Sequence, residues 1–195
     1  MEGNSRPTLW LIAGANGVGK TTFARARIEV VSGTTDFINL DLIAQGLSPL
    51  NPARHQIRAA RYALDMSRNL IEQGKSFSLE TTLSGLTHLR LIALAKASGM
   101  AVKLLYFVVD TPEICLERVA RRVSEGGHNV PETDLRRRFD RSLNNFSIYA
   151  KVCNFWRVYD ANKLPPVTVA EGSFVDVSFD SLAAVPSQLE NFLKR

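Results

Sequence analysis

Eight consecutive residues, Gly14-Ala15-Asn16-Gly17-Val18-Gly19-Lys20-Thr21, carry the clearest chemistry in this chain. Glycines at the first, fourth and sixth places let the backbone turn its N–H groups inward around phosphate oxygens. The lysine and hydroxyl that close the run suit the β- and γ-phosphates and a magnesium ion, respectively. The spacing is the complete P-loop pattern, and its context agrees. Leu9 to Ala13 is a short apolar run suited to a buried parallel strand, and from Thr21 onward the pattern turns helical. A helix that begins near Lys20 aims its positive dipole end at the loop. A Gly-rich turn with a chance lysine would explain neither the full spacing nor the flanking elements.

Two acids come next. Asp41 and Glu80 each close a predicted strand, over 37–41 and 76–80, and in an open α/β sheet that position is the rim of the ligand crevice. Either carboxylate could orient and deprotonate an acceptor hydroxyl, and either could organise a metal shell. Thr81, Thr82 and Ser84 follow Glu80. Their hydroxyls suit a substrate's hydroxyl or phosphate groups, and turn chemistry accounts for them equally well. Seven arginines, Arg118, Arg121, Arg122, Arg136, Arg137, Arg138 and Arg141, flank a break at Gly126-Gly127. Two helices with a hinge between them form a lid, here over about residues 118–141, that can bring some of these guanidinium groups over phosphate. At least half of them are expected to form an ordinary solvated face. His128, at the break, is given no catalytic role.

The elements that must position these groups alternate. Helices are predicted over about 53–73, ending at Gly74, over 86–97, from 110–113 onward, and over 132–152. Strands are predicted at 102–109, the longest apolar run, at 156–160, and at a short edge over 167–170. A terminal helix is expected over 187–194. This alternation predicts a three-layer α/β P-loop nucleoside-triphosphate hydrolase or kinase fold. Its sheet is mostly parallel and five- to six-stranded, with helices on both faces and an arginine-bearing lid.

At 195 residues, one domain spanning 1–195 is expected. Apolar residues make up 45% and charged residues 22%, which excludes a disordered or fibrous chain. The net charge of +5 comes from 24 basic and 19 acidic residues, and it is concentrated in the arginine segment. That favours a small phosphorylated ligand over a polynucleotide or a membrane surface. Cys115 and Cys153 form no metal-ligand or redox spacing and are expected to be reduced core residues. Without a signal-like or membrane-spanning run, a cytoplasmic location is expected.

Assembled in this order, the residues resemble the zeta-toxin family of P-loop kinases, especially its short stand-alone bacterial relatives. The matching stretches are Ala13 to Thr22, Phe37 to Asp41, Phe77 to Gly85, Glu117-Arg118-Val119, Gly126 to Pro131, and Trp156 to Asp160. The resemblance implies ATP and Mg²⁺ as cofactors and adds Thr22 to the nucleotide-binding loop. It implies Asp41 as the general base, and Glu80 as a substrate-binding or magnesium-organising acid. It also implies Arg118 and Arg122, then Arg137 and Arg138, as stabilisers of the transferred group. The acceptor it implies is a small molecule bearing a hydroxyl, UDP-N-acetylglucosamine or another nucleotide sugar, and the partner it implies is an antitoxin protein. The chain is shorter after its fifth strand than the well-known toxins, which leaves the acceptor open. A P-loop ATPase with a regulatory or nucleic-acid-linked role is the alternative.

Overall fold

Thr8-Leu-Trp-Leu-Ile-Ala13 shows no polar alternation and is buried along its whole length, as a strand covered on both faces must be. It forms β1 (Thr8–Ala13) of a computed structural model that describes residues 6–127, 129–173, 177–179 and 189. There follow α1 (Lys20–Ser32), β2 (Phe37–Ile38), α2 (Leu40–Leu47) and a short 3-10 turn at Pro52–His55. Next come α3 (Gln56–Glu72), β3 (Phe77–Thr81), α4 (His88–Ala97) and β4 (Ala101–Val108). The chain continues through α5 (Pro112–Ser124), α6 (Glu132–Val152), β5 (Phe155–Asp160), β6 (Val167–Gly172) and β7 (Val177–Phe179).

The described strands form one seven-stranded sheet in the order β2-β3-β1-β4-β5-β6-β7. From β2 to β5 all pairings are parallel, while β6 and β7 add an antiparallel edge. This is the mostly parallel P-loop fold that the sequence predicts, extended by the three-residue β7. The chain leaves β1 toward β2 on one side and leaves β4 toward β5 on the other. The ends of β1 and β4 therefore bound the crevice in which such sheets bind ligands.

Adjacent residues of β4 face opposite ways, and this places the helix layers. Phe107 stacks on Tyr159 of β5 with centroids 4.8 Å apart and meets Phe23 of α1 at 4.8 Å. Tyr106, one residue earlier, meets Phe146 of α6 at 4.7 Å, and Phe146 stands edge-on to Trp156 at 5.7 Å. Helices α1 and α6 thus cover opposite faces. The buried Tyr106 hydroxyl pairs with Ser142 Oγ at 3.0 Å. Cys115 and Cys153 are free and buried, and burial raises their thiols to about 11 and about 12, which keeps them protonated.

Three local readings change. The strand expected over 37–41 stops at Ile38, because Asn39 turns its side chain to accept the Leu42 N–H at 3.0 Å and caps α2, a helix the sequence reading lacks. Asp41 therefore stands in the first turn of a helix, and not at a strand end. The helix expected over 53–73 begins with the 3-10 turn and ends at Gly74, which adopts φ 63°. Of the terminal helix expected over 187–194, only the buried Leu189 lies within the described residues, and His128 lies outside them. Among the described residues no helix is long and apolar enough to cross a membrane.

Tyr106→Phe leaves the buried Ser142 hydroxyl without its partner, and should lower unfolding stability in urea by about 1–3 kcal/mol. Adding Ser142→Ala removes the orphaned group and should recover part of that loss. A double variant as unstable as the sum of both single variants would contradict this account.

Candidate active site

The loop after β1 is pressed onto its neighbours so closely that side chains are excluded at two places. Gly14 has φ 140°, and a Cβ there would lie 2.3 Å from the Phe107 carbonyl oxygen. At Gly17, φ is 86° and a Cβ would lie 2.6 Å from the Cys115 carbonyl oxygen. Gly19, with φ 100°, has open space around it and precedes α1 without a side-chain cap. The first N–H groups of α1 are thus left for an anion.

Lys20 and Thr21 open α1 against the end of β3, where Glu80 pairs in register beside Ile12 of β1. The Thr21 hydroxyl donates to both Glu80 oxygens, at 3.0 and 2.9 Å. Asn39 Nδ2 donates to Glu80 Oε2 at 2.6 Å. The buried Lys20 ammonium donates to the Ala15 carbonyl at 2.8 Å and lies 3.9 Å from Glu80 Oε1. Burial pushes the Lys20 pKa below the usual lysine value, and the charges of Glu80 and then Asp41 pull it partly back. Asp41 is half-buried, and its carboxylate makes no hydrogen bond or ion pair with the described residues.

The predicted arginines divide. Arg118 sends Nη2 to the Ala161 carbonyl at 2.9 Å and Nη1 to the Val18 carbonyl at 3.5 Å, joining the P-loop to the loop after β5. Asp160 shapes that second loop by accepting the Asn162 backbone and side-chain N–H groups at 2.9 and 2.8 Å. Arg122 lies near enough to Lys20 to oppose its charge, and the chain folds back over it. The Gly127 N–H bonds the Arg122 carbonyl at 2.8 Å, and a Cβ at Gly127 would meet Arg122 Cγ at 2.5 Å. Arg138 reaches Asn16 Oδ1 of the P-loop at 3.5 Å. Arg137 is not brought to the loop; it is exposed and pairs with Asp134 on its own helix at 2.6 Å. Arg136 braces α6 to the start of α5 through Glu113 at 2.6 Å, while Arg121 and Arg141 are exposed.

Thr81 and Thr82 are both engaged in the turn after β3. Thr81 Oγ1 accepts the Leu83 N–H at 3.1 Å, and Thr82 Oγ1 lies 2.8 Å from Ser84 Oγ. Leu83 is buried with φ 53°, a conformation that costs a branched side chain and persists only when its surroundings enforce it. Helix α6 does so. Asn145 Nδ2 bonds the Leu83 carbonyl at 2.7 Å, and the Tyr149 hydroxyl bonds the Gly85 carbonyl at 2.7 Å. Sequence reasoning missed Asn39, Asn145, Tyr149 and Asp160. Asn39 carried a local signal, the preference of asparagine for a helix N-cap, and Asp160 another, as an acid that closes a predicted strand.

A strand, a glycine loop and an uncapped helix, with a carboxylate on the neighbouring strand bonded to the helix hydroxyl, define a P-loop nucleotide-binding protein with the kinase fold. Residues 9–146 match the AAA domain family, and the chain belongs to it. An uncharacterized protein of Haemophilus influenzae is 33% identical over 144 residues, covering 69% of this chain and 99% of that protein. Among solved structures, a chain of the AvrRxo1-ORF1:AvrRxo1-ORF2 complex superposes with a TM-score of 0.72 at 20% identity, and that complex has also been solved with ATP. The match takes in 97% of this chain and 64% of that one, so this chain spans less than two thirds of its length. A chain of the PezAT chromosomal toxin–antitoxin system of Streptococcus pneumoniae gives 0.66 at 16% identity, covering 98% of this chain and 84% of that one. Shikimate kinase from Acinetobacter baumannii, solved with shikimate, gives 0.50 at 22%, covering 82% and 86%. These likenesses show that the chain shares its P-loop α/β fold with these proteins.

The two kinds of glycine should behave differently. Gly14→Ala sets a Cβ against backbone that cannot yield, and is expected to cost on the order of 2–4 kcal/mol and to abolish binding of a fluorescent ATP analogue. Gly19→Ala meets only backbone strain, about 1–2 kcal/mol. Equal losses in urea unfolding would contradict the packing described for Gly14.

Proposed function

We propose that this protein is an ATP-dependent small-molecule kinase of zeta-toxin type. The observation that carries the reading is the chain of contacts Thr21–Glu80–Asn39, which ties the phosphate loop to the short helix that presents Asp41. A carboxylate that is half-buried, uncommitted and held near the phosphate lysine is what deprotonation of an acceptor hydroxyl requires.

In this reading the loop amides from Gly14 to Thr22 receive the phosphate oxygens. Lys20 exchanges the Ala15 carbonyl for the β- and γ-phosphates, whose charge offsets the burial that disfavours the ammonium. The Thr21 hydroxyl and the Glu80 carboxylate are hard oxygen donors beside the phosphate cradle, and they fit Mg²⁺, which takes one or two protein oxygens together with phosphate oxygens and water. When bound, the ion would neutralise the charge on the β- and γ-oxygens. Asp41 takes the proton of the acceptor hydroxyl as its oxygen bonds to the γ-phosphorus and the bond from that phosphorus to the β,γ-bridging oxygen breaks, leaving ADP. Arg118, Arg122 and Arg138 would meet the developing charge. Arg137 would have to leave Asp134 to join them. Thr81 and Thr82 bound the acceptor side together with Glu80.

A nucleotide sugar such as UDP-N-acetylglucosamine is the proposed acceptor class, by resemblance to the zeta toxins. An antitoxin-type protein is the proposed partner, supported by the likeness to a chain of the PezAT toxin–antitoxin system. A cytoplasmic location and a single domain accompany this reading.

Incubation with ATP, magnesium and a panel of nucleotide sugars, nucleosides and small metabolites should yield a phosphorylated acceptor detectable by mass spectrometry. Lys20→Ala should abolish ATP turnover. Asp41→Asn should bind an ATP analogue normally and lose about 10²–10⁴-fold in transfer, the usual share of a positioned general base. ADP and free phosphate as the sole products across the panel would favour the ATPase reading, and full activity of Asp41→Asn would remove Asp41 as the base.

A further inference from the structure

Asn39 uses both ends of its amide. Oδ1 accepts the Leu42 N–H at 3.0 Å and caps α2, while Nδ2 donates to Glu80 Oε2 at 2.6 Å. The partners fix the amide orientation, since a reversed amide would set an oxygen against a carboxylate and a nitrogen against an N–H. Capping alone does not require asparagine, because serine and aspartate cap about as well. Holding a carboxylate on one side while accepting a helix N–H on the other requires a donor and an acceptor in one short side chain. Asn39 is itself buried, at 5% exposure, and the Glu80 side chain is only 12% exposed, so little water competes for this bond.

The position in the sheet gives the contact its leverage. The parallel ladder between β2 and β3 has two rungs, Phe37 with Ser78 and Ile38 with Leu79. The next step along both strands would join Asn39 and Glu80, and there the link passes from backbone to side chains. Beyond it the chain turns into α2 and presents Asp41. Of the donors now on Glu80, Thr21 is the one that a bound metal would claim. Asn39 is the donor that stays.

We infer that Asn39 is a positioning residue that fixes the Glu80 carboxylate against the helix bearing Asp41, setting the register between the metal-organising and acceptor-activating sides of the site. The inference rests on the kinase reading for the role of Asp41, whereas the Asn39–Glu80 link can be tested without it.

Asn39→Ser keeps a capping oxygen and removes the donor; Asn39→Ala removes both. Asn39→Ser should lower the Tm by about 3–6 °C, because Glu80 loses one donor, and should still bind a nonhydrolysable ATP analogue without magnesium. The magnesium concentration needed for tight analogue binding should rise about 10-fold, and kcat for ATP turnover should fall about 10- to 100-fold, as when an outer-shell partner is lost. Asn39→Ala should show the same losses with a Tm about 2–4 °C lower still. Asn39→Thr, a second capping variant, covers the case in which serine folds poorly. In a Glu80→Gln background Asn39→Ser should have no further effect on the magnesium midpoint, which a purely structural role would not predict. In the metal-free protein, the Asn39 side-chain amide proton should resonate downfield and lose that shift in Glu80→Gln. A wild-type magnesium midpoint and turnover in Asn39→Ser, or additive effects in the double variant, would reduce Asn39 to a helix cap. Failure of the kinase reading has a different signature, since a wild-type protein that only hydrolyses ATP would still register the Asn39–Glu80 link in analogue binding.

Discussion

A carboxylate removed from water is tolerable only where donors replace the water it has lost, and the Glu80 side chain stands at the centre of such a replacement. Thr21 comes from the helix after the phosphate loop, Asn39 from the cap of α2, and Lys20 adds its charge from 3.9 Å. Three segments distant in sequence are therefore obliged to meet at one side chain. The strands deliver it to within bonding range, since register places Glu80 beside Ile12, two residues before the loop begins. Moving any one segment would strand either the carboxylate or its donors, so the geometry of the loop, of β3 and of α2 is one problem with one solution.

Helix α6 braces the same site from the other face of the sheet. Its buried middle packs Phe146 between Tyr106 and Trp156, while the adjacent Asn145 and, a turn on, Tyr149 hold the carbonyls of Leu83 and Gly85. The Asn145 bond, with the one from Leu83 N–H to Thr81, satisfies the backbone of a residue in a strained conformation. Near its other end α6 carries Arg138 toward Asn16, and Arg136 ties it to α5. The turn after Glu80 and the arginine-bearing hairpin thus share one rigid element. Displacement of α6 would be felt at both.

Much of this was legible because it is local. The P-loop announces itself through glycines whose spacing reflects close approach and positive φ, and β4 through an apolar run long enough to be central. The acids were found as strand-end residues, which is right for Glu80 and wrong in detail for Asp41. The apolar pair Phe37-Ile38 and the following Asn-Leu-Asp read as one strand by hydrophobicity, whereas the capping power of Asn39 ends the strand and starts a helix. Nothing local distinguishes Asn145 or Tyr149 from other polar groups on an amphipathic helix. Their partners lie 62 and 64 residues away, and only the folded sheet brings the two segments together. The arginines illustrate the same limit. Spacing shows a cluster, but which member meets the loop depends on helix phase and on nearby acids, and Asp134 draws Arg137 aside.

Charge at this buried site is held between Lys20 and its acidic neighbours. Lys20 finds a carbonyl at 2.8 Å and carboxylates nearby, yet burial still holds its pKa below the usual value. Its charged state is therefore under-compensated, and a phosphate entering the uncapped start of α1 would relieve it. Arg122 acts in the same direction by adding positive charge near Lys20. The acids set the opposite limit. Glu80 and Asp41 are close enough to temper the lysine, and in the kinase reading they would also oppose a bare triphosphate. In the same reading, a divalent cation brought in with the nucleotide would turn that repulsion into attraction at Glu80, while Asp41, with no partner among the described residues, would stay available to a hydroxyl. In the kinase reading, a single arrangement of charges would then favour the metal-bound nucleotide over the free one and leave the second carboxylate to act as a base.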